Sequence, residues 1–189
     1  MTAVLKMNVQ DLDAQFVEDL KGQFAHADLE IRVHEPPGAA AFFSEENFWQ
    51  TIALLDWGAG DDEYAVMAPA VAALAEHPIA HIYRFADILS EKLWALDNRS
   101  HAQVFIEEEG SEGYLSADDF LYARCAVVAQ GPDFYEKVFQ NPAEMPLDMT
   151  FEPLLNLAGD AYERKTGREL LAAPTFNYET YSNKKGWQK

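Results

Sequence analysis

Apolar and polar positions alternate twice near the start of the chain. Leu5, Met7 and Val9 are separated by Lys6 and Asn8, and Leu29, Ile31 and Val33 by Glu30 and Arg32. A period of two predicts a half-buried strand in each place. Between them Leu12, Phe16, Leu20 and Phe24 recur at helical spacing, with Asp11 or Asp13 as cap. Pro36-Pro37-Gly38 ends this strand–helix–strand unit, residues 1–38. Two strands under one helix are marginal alone, so the unit must pack on its own chain or on another. Neither strand carries a proline or an inward-pointing charge that would discourage edge pairing. A homodimer joined strand edge to strand edge is the favoured expectation. Docking on the chain's own helical domain through Phe42, Phe43 and an aromatic tail is the competing one.

From Ser44 on, the period becomes helical. Ser44 caps a segment with Phe48, Trp49, Ile52 and Leu55 inward. Asp61 caps the next, with Tyr64, Met67, Val71 and Leu74 inward, and Pro69 predicts a kink or a split. His77-Pro78 starts a longer helix whose stripe is Ile82, Phe85, Leu89, Leu93 and Leu96, ended by Asp97-Asn98-Arg99. His101 to Tyr114 reads as an exposed connection, with an edge strand at Gln103 to Ile106 as an alternative. The stretch from Ser116 to Pro142 is the most fully punctuated. Ser116 and Asp119 have the form of a capping box, Gly131-Pro132 stops one helix and starts the next, and Asn141-Pro142 closes the second. Thr150 then caps a helix with Leu154, Leu157, Ala158 and Ala161, stopped by Gly167. The remainder has no helical period, yet Phe176, Tyr178, Tyr181 and Trp187 are too aromatic for a free tail. The expected fold is α+β and mostly α, with the strand–helix–strand unit followed by an irregular bundle of about six helices over 39–189.

Charge narrows the partners. The chain carries 32 acidic and 14 basic residues, a net charge of −18, which opposes binding to a phosphate backbone. The basic residues Arg164, Lys165, Arg168, Lys184, Lys185 and Lys189 gather late in the chain and read as a segment attracted to an acidic body. The lone Cys125 excludes an internal disulfide, and its apolar neighbours make it a core thiol. With no signal-peptide pattern and no membrane-spanning run, a soluble cytoplasmic protein is expected.

Candidate chemistry is sparse. His77 and His81 have metal-ligand spacing, but Pro78 sets His77 at a cap and no third ligand follows. Asp56, Asp61, Asp62 and Glu63 lack the alternation of a calcium loop. Phosphate-binding, dinucleotide and nucleophile-elbow motifs are missing, so no catalytic residue, metal or cofactor is assigned. The polar set of most interest is Asp97, Arg99, His101, Asp118, Asp119 and Arg124. Asp118 and Asp119 charge a helix start, while Arg124 is expected to reach a carboxylate on another helix, Asp97 being the candidate. The same residues could instead line a small polar pocket with His101 as its titrating group.

Two resemblances follow from these residues. Phe48-Trp49 with Ile52, Ile79, Phe85 and Leu93-Trp94 are followed by Asp118-Asp119-Phe120, Arg124, Val127-Val128, Gln130-Gly131, Phe134-Tyr135 and Asn141-Pro142. In that order they resemble the bacterial domain-of-unknown-function family 4240, over about residues 48–145. Ala126 stands where that family often has tryptophan, and LDNRSHA replaces an aromatic-rich segment. The resemblance implies a helical fold and no particular activity. The opening helix LDAQFVEDLKGQF, the strand LEIRVHE and FFSEEN resemble small antitoxin-like bacterial proteins. Two functions remain open. One is a non-enzymatic interaction or regulatory protein with a basic protein partner. The other is a small-molecule-binding or hydrolytic domain around Asp97, His101 and Asp118.

Overall fold

The computed structural model describes residues 5, 7, 9, 12–27, 29–32, 42–108 and 113–188, in two compact units, Met1–Ala39 and Ala40–Lys189. In the first unit, α1 (Ala14–Gln23) is capped by Asp13, whose carboxylate accepts from the Phe16 N–H at 2.8 Å. The expected strands are a correction. Among the described residues there is no strand, and the fold is all-helical. Leu5, Met7, Val9, Leu29 and Ile31 are exposed, and Val33 lies outside the described residues. Alternation supplies an apolar face only where a third strand or a cover completes a sheet. With no strand among the described residues, the edge-to-edge dimer loses its stated basis.

The second unit is built from α2 (Glu45–Ile52), α3 (Glu63–Glu76), α4 (Ile79–Leu96), α5 (Arg99–Ile106), α6 (Ala117–Ala129), α7 (Pro132–Gln140) and α8 (Leu157–Thr166). Ser44 caps α2 in a reciprocal box with Asn47. The cap of α3 is Asp62 rather than Asp61, and Asp62 accepts from the Ala65 N–H. Pro69 does not split α3. It lies on the exposed side, and burial of Val66, Met67, Ala70 and Leu74 outweighs the roughly 3 kcal/mol a helical proline costs. Tyr64, expected inward, is 86% exposed.

The predicted stripe of α4 is buried at every position, Ile82, Phe85, Leu89, Leu93 and Leu96. It packs against α6 and α8, and α3 lies along α8. Helix α6 is buried nearly all round, from Phe120 and Leu121 through Ala123 to Ala129, which makes it the axis of the bundle. The Ser116 hydroxyl caps it on the Asp119 N–H. Gly131 then turns the chain at φ +93°, a backbone conformation that side chains disfavour, and Pro132 opens α7.

Two further expectations fail. Arg99–Ile106 is the helix α5, not an exposed connection or an edge strand. Asn98 caps it, and His101, Ala102 and Phe105 turn one face inward. Thr150 is no cap. The chain enters α8 through a 3-10 turn at Glu152–Asn156 behind Phe151, whose side chain forms no cap bond.

Candidate functional site

The end of α4, the start of α5 and the middle of α6 bring two opposite charges into the interior. Asp97 and Arg124 are both fully buried. They do not pair with each other as expected. Arg124 donates from Nε to the Phe120 carbonyl at 3.4 Å and from Nη1 to the Leu93 and Tyr178 carbonyls at 2.9 and 3.0 Å. Its Nη2 donates to the Thr180 hydroxyl at 2.9 Å, and the guanidinium lies 4.8 Å from the Phe120 ring centroid. Asp97 Oδ1 accepts from the Tyr181 N–H at 3.1 Å and the Trp187 indole at 2.8 Å; Oδ2 accepts from the Asn183 N–H at 2.9 Å. The Ser182 hydroxyl is shared between Asp97 Oδ2 and the Asn177 carbonyl. Asp97 is thus met by donors of residues 181–187, and Arg124 by two acceptors of the same segment and two helix carbonyls, while the opposite charge acts from a distance. Burial pushes the Arg124 guanidinium down, and the nearby Asp97, Cys125 and Glu179 oppose that shift.

Residues 175–187 therefore form an irregular strap over the bundle. Its start is held by the Thr175 N–H on Asp87 Oδ1 and by Phe176 against the Trp94 ring. Its end is held by Asn183 Nδ2 on the Trp94 carbonyl and by the Arg99 N–H on the Gly186 carbonyl. Gly186 is required by close approach, because a Cβ there would sit 2.6 Å from the Asn98 Cβ. Tyr181 adopts φ 73° in the strap, uncommon for a residue with a side chain.

His101 is buried beside this cluster. Its Nδ1 lies 2.9 Å from Asn98 Oδ1 and its Nε2 3.2 Å from the Val138 carbonyl. Burial holds its pKa below the ordinary value, Arg124 adds to that shift, and the Val138 carbonyl opposes it. The Cys125 thiol, fully buried, is pushed up to about 12 by desolvation, so it is no nucleophile. Asp118, Asp119 and Arg99 are exposed at helix starts. The predicted set thus divides into three buried members and three exposed ones. Sequence reasoning missed Tyr178, Thr180, Ser182, Asn183 and Trp187 as partners of the buried charges; only the aromatic content of the segment pointed to its being ordered.

Two clefts are found, and neither is lined by Asp97, His101 or Arg124. One cleft of about 230 Å³ is lined by Glu63, Tyr64, Met67, Glu152, Pro153, Asn156 and Asp160. Another of about 240 Å³ is lined by Pro174 and by the strap residues Phe176, Asn177, Tyr178 and Glu179. In the first, burial raises the Asp160 carboxyl, and the charge of Glu163 adds to this. His77 and His81 do meet, Nδ1 to Nδ1 at 3.4 Å, beside the Phe42 and Phe43 rings. Among the described residues, no three His, Cys, Asp or Glu side chains are placed to hold a metal ion. No described helix is long and apolar enough to cross a membrane.

The family described as "Protein of unknown function (DUF4240)" matches residues 43–164, well over half of the chain. The chain belongs to this family. No curated protein and no solved structure matches it. Because the DUF4240 match begins at residue 43, it lends no support to the antitoxin-like resemblance of the opening residues. Asp97, His101 and Arg124 lie inside the DUF4240 region, whereas the strap that satisfies two of them lies beyond it.

Proposed function

We propose that this DUF4240 protein is a non-enzymatic interaction or regulatory protein of a bacterial cytoplasm, which binds a basic protein through its acidic surface. One observation carries the reading. Asp97 is the single buried carboxylate among the described residues, so the acid excess behind the −18 charge is displayed outward. The groups that could do chemistry inside the bundle are meanwhile occupied. Among the described residues, every buried side-chain nitrogen and oxygen has a hydrogen-bond partner. The lone, buried Cys125 suits a reducing compartment. A small-molecule or hydrolytic site would need Asp97 or His101 at a cavity, and both clefts are lined by other residues.

Calorimetric titration with a lysine-rich peptide tests the reading. Binding at low ionic strength that weakens steeply with added salt is the expected result. Absence of binding at low salt, or binding indifferent to salt, would sink it. Duplex and single-stranded nucleic acid should give no shift in a gel at low salt. A salt-sensitive shift would redirect attention to Lys184 and Lys185.

A further inference from the structure

The strap is bound in the way a peptide ligand is bound. Asp97 takes the main-chain N–H groups of Tyr181 and Asn183, two residues apart, on its two oxygens. Arg124 takes the Tyr178 main-chain carbonyl. Side-chain selection is confined to a few places. The Thr180 hydroxyl accepts from Arg124 and donates to the Ala117 carbonyl at 2.7 Å; the Trp187 indole donates to Asp97 and its ring meets Phe120. Gly186 is the one residue that fits against Asn98. These contacts read out Thr-x-Ser-Asn-x-x-Gly-Trp in an irregular backbone, a mode in which main-chain bonds give affinity and a few side chains give choice.

The attachment is also separable. Residues 169–174 form no hydrogen bond to the described residues; Leu170 packs against the core, and beyond it Leu171 is 81% exposed. The four residues 171–174, extended, reach roughly 14 Å, so the strap can leave its seat without unwinding α8.

We propose that Asp97 and Arg124 are the floor of a peptide-binding site on the DUF4240 domain, filled here in cis by residues 177–187. The same site takes that segment in trans from a second copy of this chain, by exchange of straps. This rests on the geometry at Asp97 and Arg124 and not on the acidic surface, so it stands or falls separately from the proposed function.

The test uses the full chain carrying Gly186→Ala, which lifts the strap and removes no hydrogen-bonding group, and a fluorescent synthetic peptide of residues 174–188. Anisotropy should show the peptide binding Gly186→Ala about tenfold or more tighter than the wild type, whose site is occupied. Adding Asp97→Ala should abolish that binding. A Gly186→Ala chain that keeps its helical circular dichroism and fails to bind the peptide overturns the proposal. Should Gly186→Ala not fold, hydrogen exchange on the wild-type protein decides. Exchange of the Tyr181 and Asn183 amides through an opening of their own, ahead of the α6 amides, supports a separable ligand. Exchange only with global unfolding overturns it.

Discussion

The first and last segments of the chain teach opposite lessons. Residues 5–9 and 29–33 carry a regular two-residue alternation, and Leu5, Met7, Val9, Leu29 and Ile31 nonetheless stand exposed, with Ile31 at 71%. Residues 175–187 carry no period at all, and they lie fixed by Asp97, Arg124, Asp87 and Trp94. Periodicity announces a face but supplies nothing to bury it against. A pair of buried charges, by contrast, demands partners, and an aperiodic segment rich in donors, acceptors and aromatic rings can supply them.

The sharpest way to break this comparison is to remove a charge from under the strap. Asp97→Ala leaves the Tyr181 and Asn183 N–H groups and the Trp187 indole unaccepted, and Arg124 loses its nearest counter-charge. It should lower unfolding stability in urea by about 3–5 kcal/mol. A change indistinguishable from a surface substitution would mean the strap is decoration. Thr180→Ala removes one acceptor from Arg124 and one donor to Ala117, and should destabilise by about 1–3 kcal/mol in the same assay.

A pH series sharpens the junction between strap and α5. His101 faces Asn98, the Val138 carbonyl and the Arg124 charge, and its folded pKa is depressed below 6.5. Its contribution is therefore full above about 6.5 and is lost as pH falls through the lowered folded value, with a slope of at most about 1.4 kcal/mol per pH unit. Stability measured from pH 7 to 5 should fall more steeply for wild type than for His101→Gln; equal slopes would show that His101 protonates freely. The smallest effect belongs to the other end of the chain. Ile31→Ala should change stability by no more than about 0.5 kcal/mol, and a larger loss would show that the alternating segment is buried after all.

Much of the bundle was legible because its signals are local. Ser44, Ser116, Gly131-Pro132 and the stripe from Ile82 to Leu96 each act within a turn or two of where they stand. Helix α5 is hard to read because its apolar face is only Ala102, Phe105 and a histidine, and because Asn98 in the sequence marks the end of α4 as readily as the cap of the next helix. Of the candidate site, the residue types Asp97, His101 and Arg124 were legible. Their partners were not, because Tyr178 to Trp187 lie more than fifty positions from Arg124 and more than eighty from Asp97. Spacing along a chain cannot express a contact of that range.

The position of the strap in the chain has a consequence for how the protein is made. All eight described helices emerge during synthesis before Thr175 does, and until then Asp97 lacks the donors of Tyr181, Ser182, Asn183 and Trp187, and Arg124 lacks two of its four acceptors. A nascent chain halted after Gly167 therefore holds a buried carboxylate with no donor and a guanidinium left with only the Phe120 and Leu93 carbonyls, and should be cut by a protease that spares the finished protein. The segment that closes the interior is built after all eight described helices, so closure waits on residues 175–187 rather than on the formation of any helix.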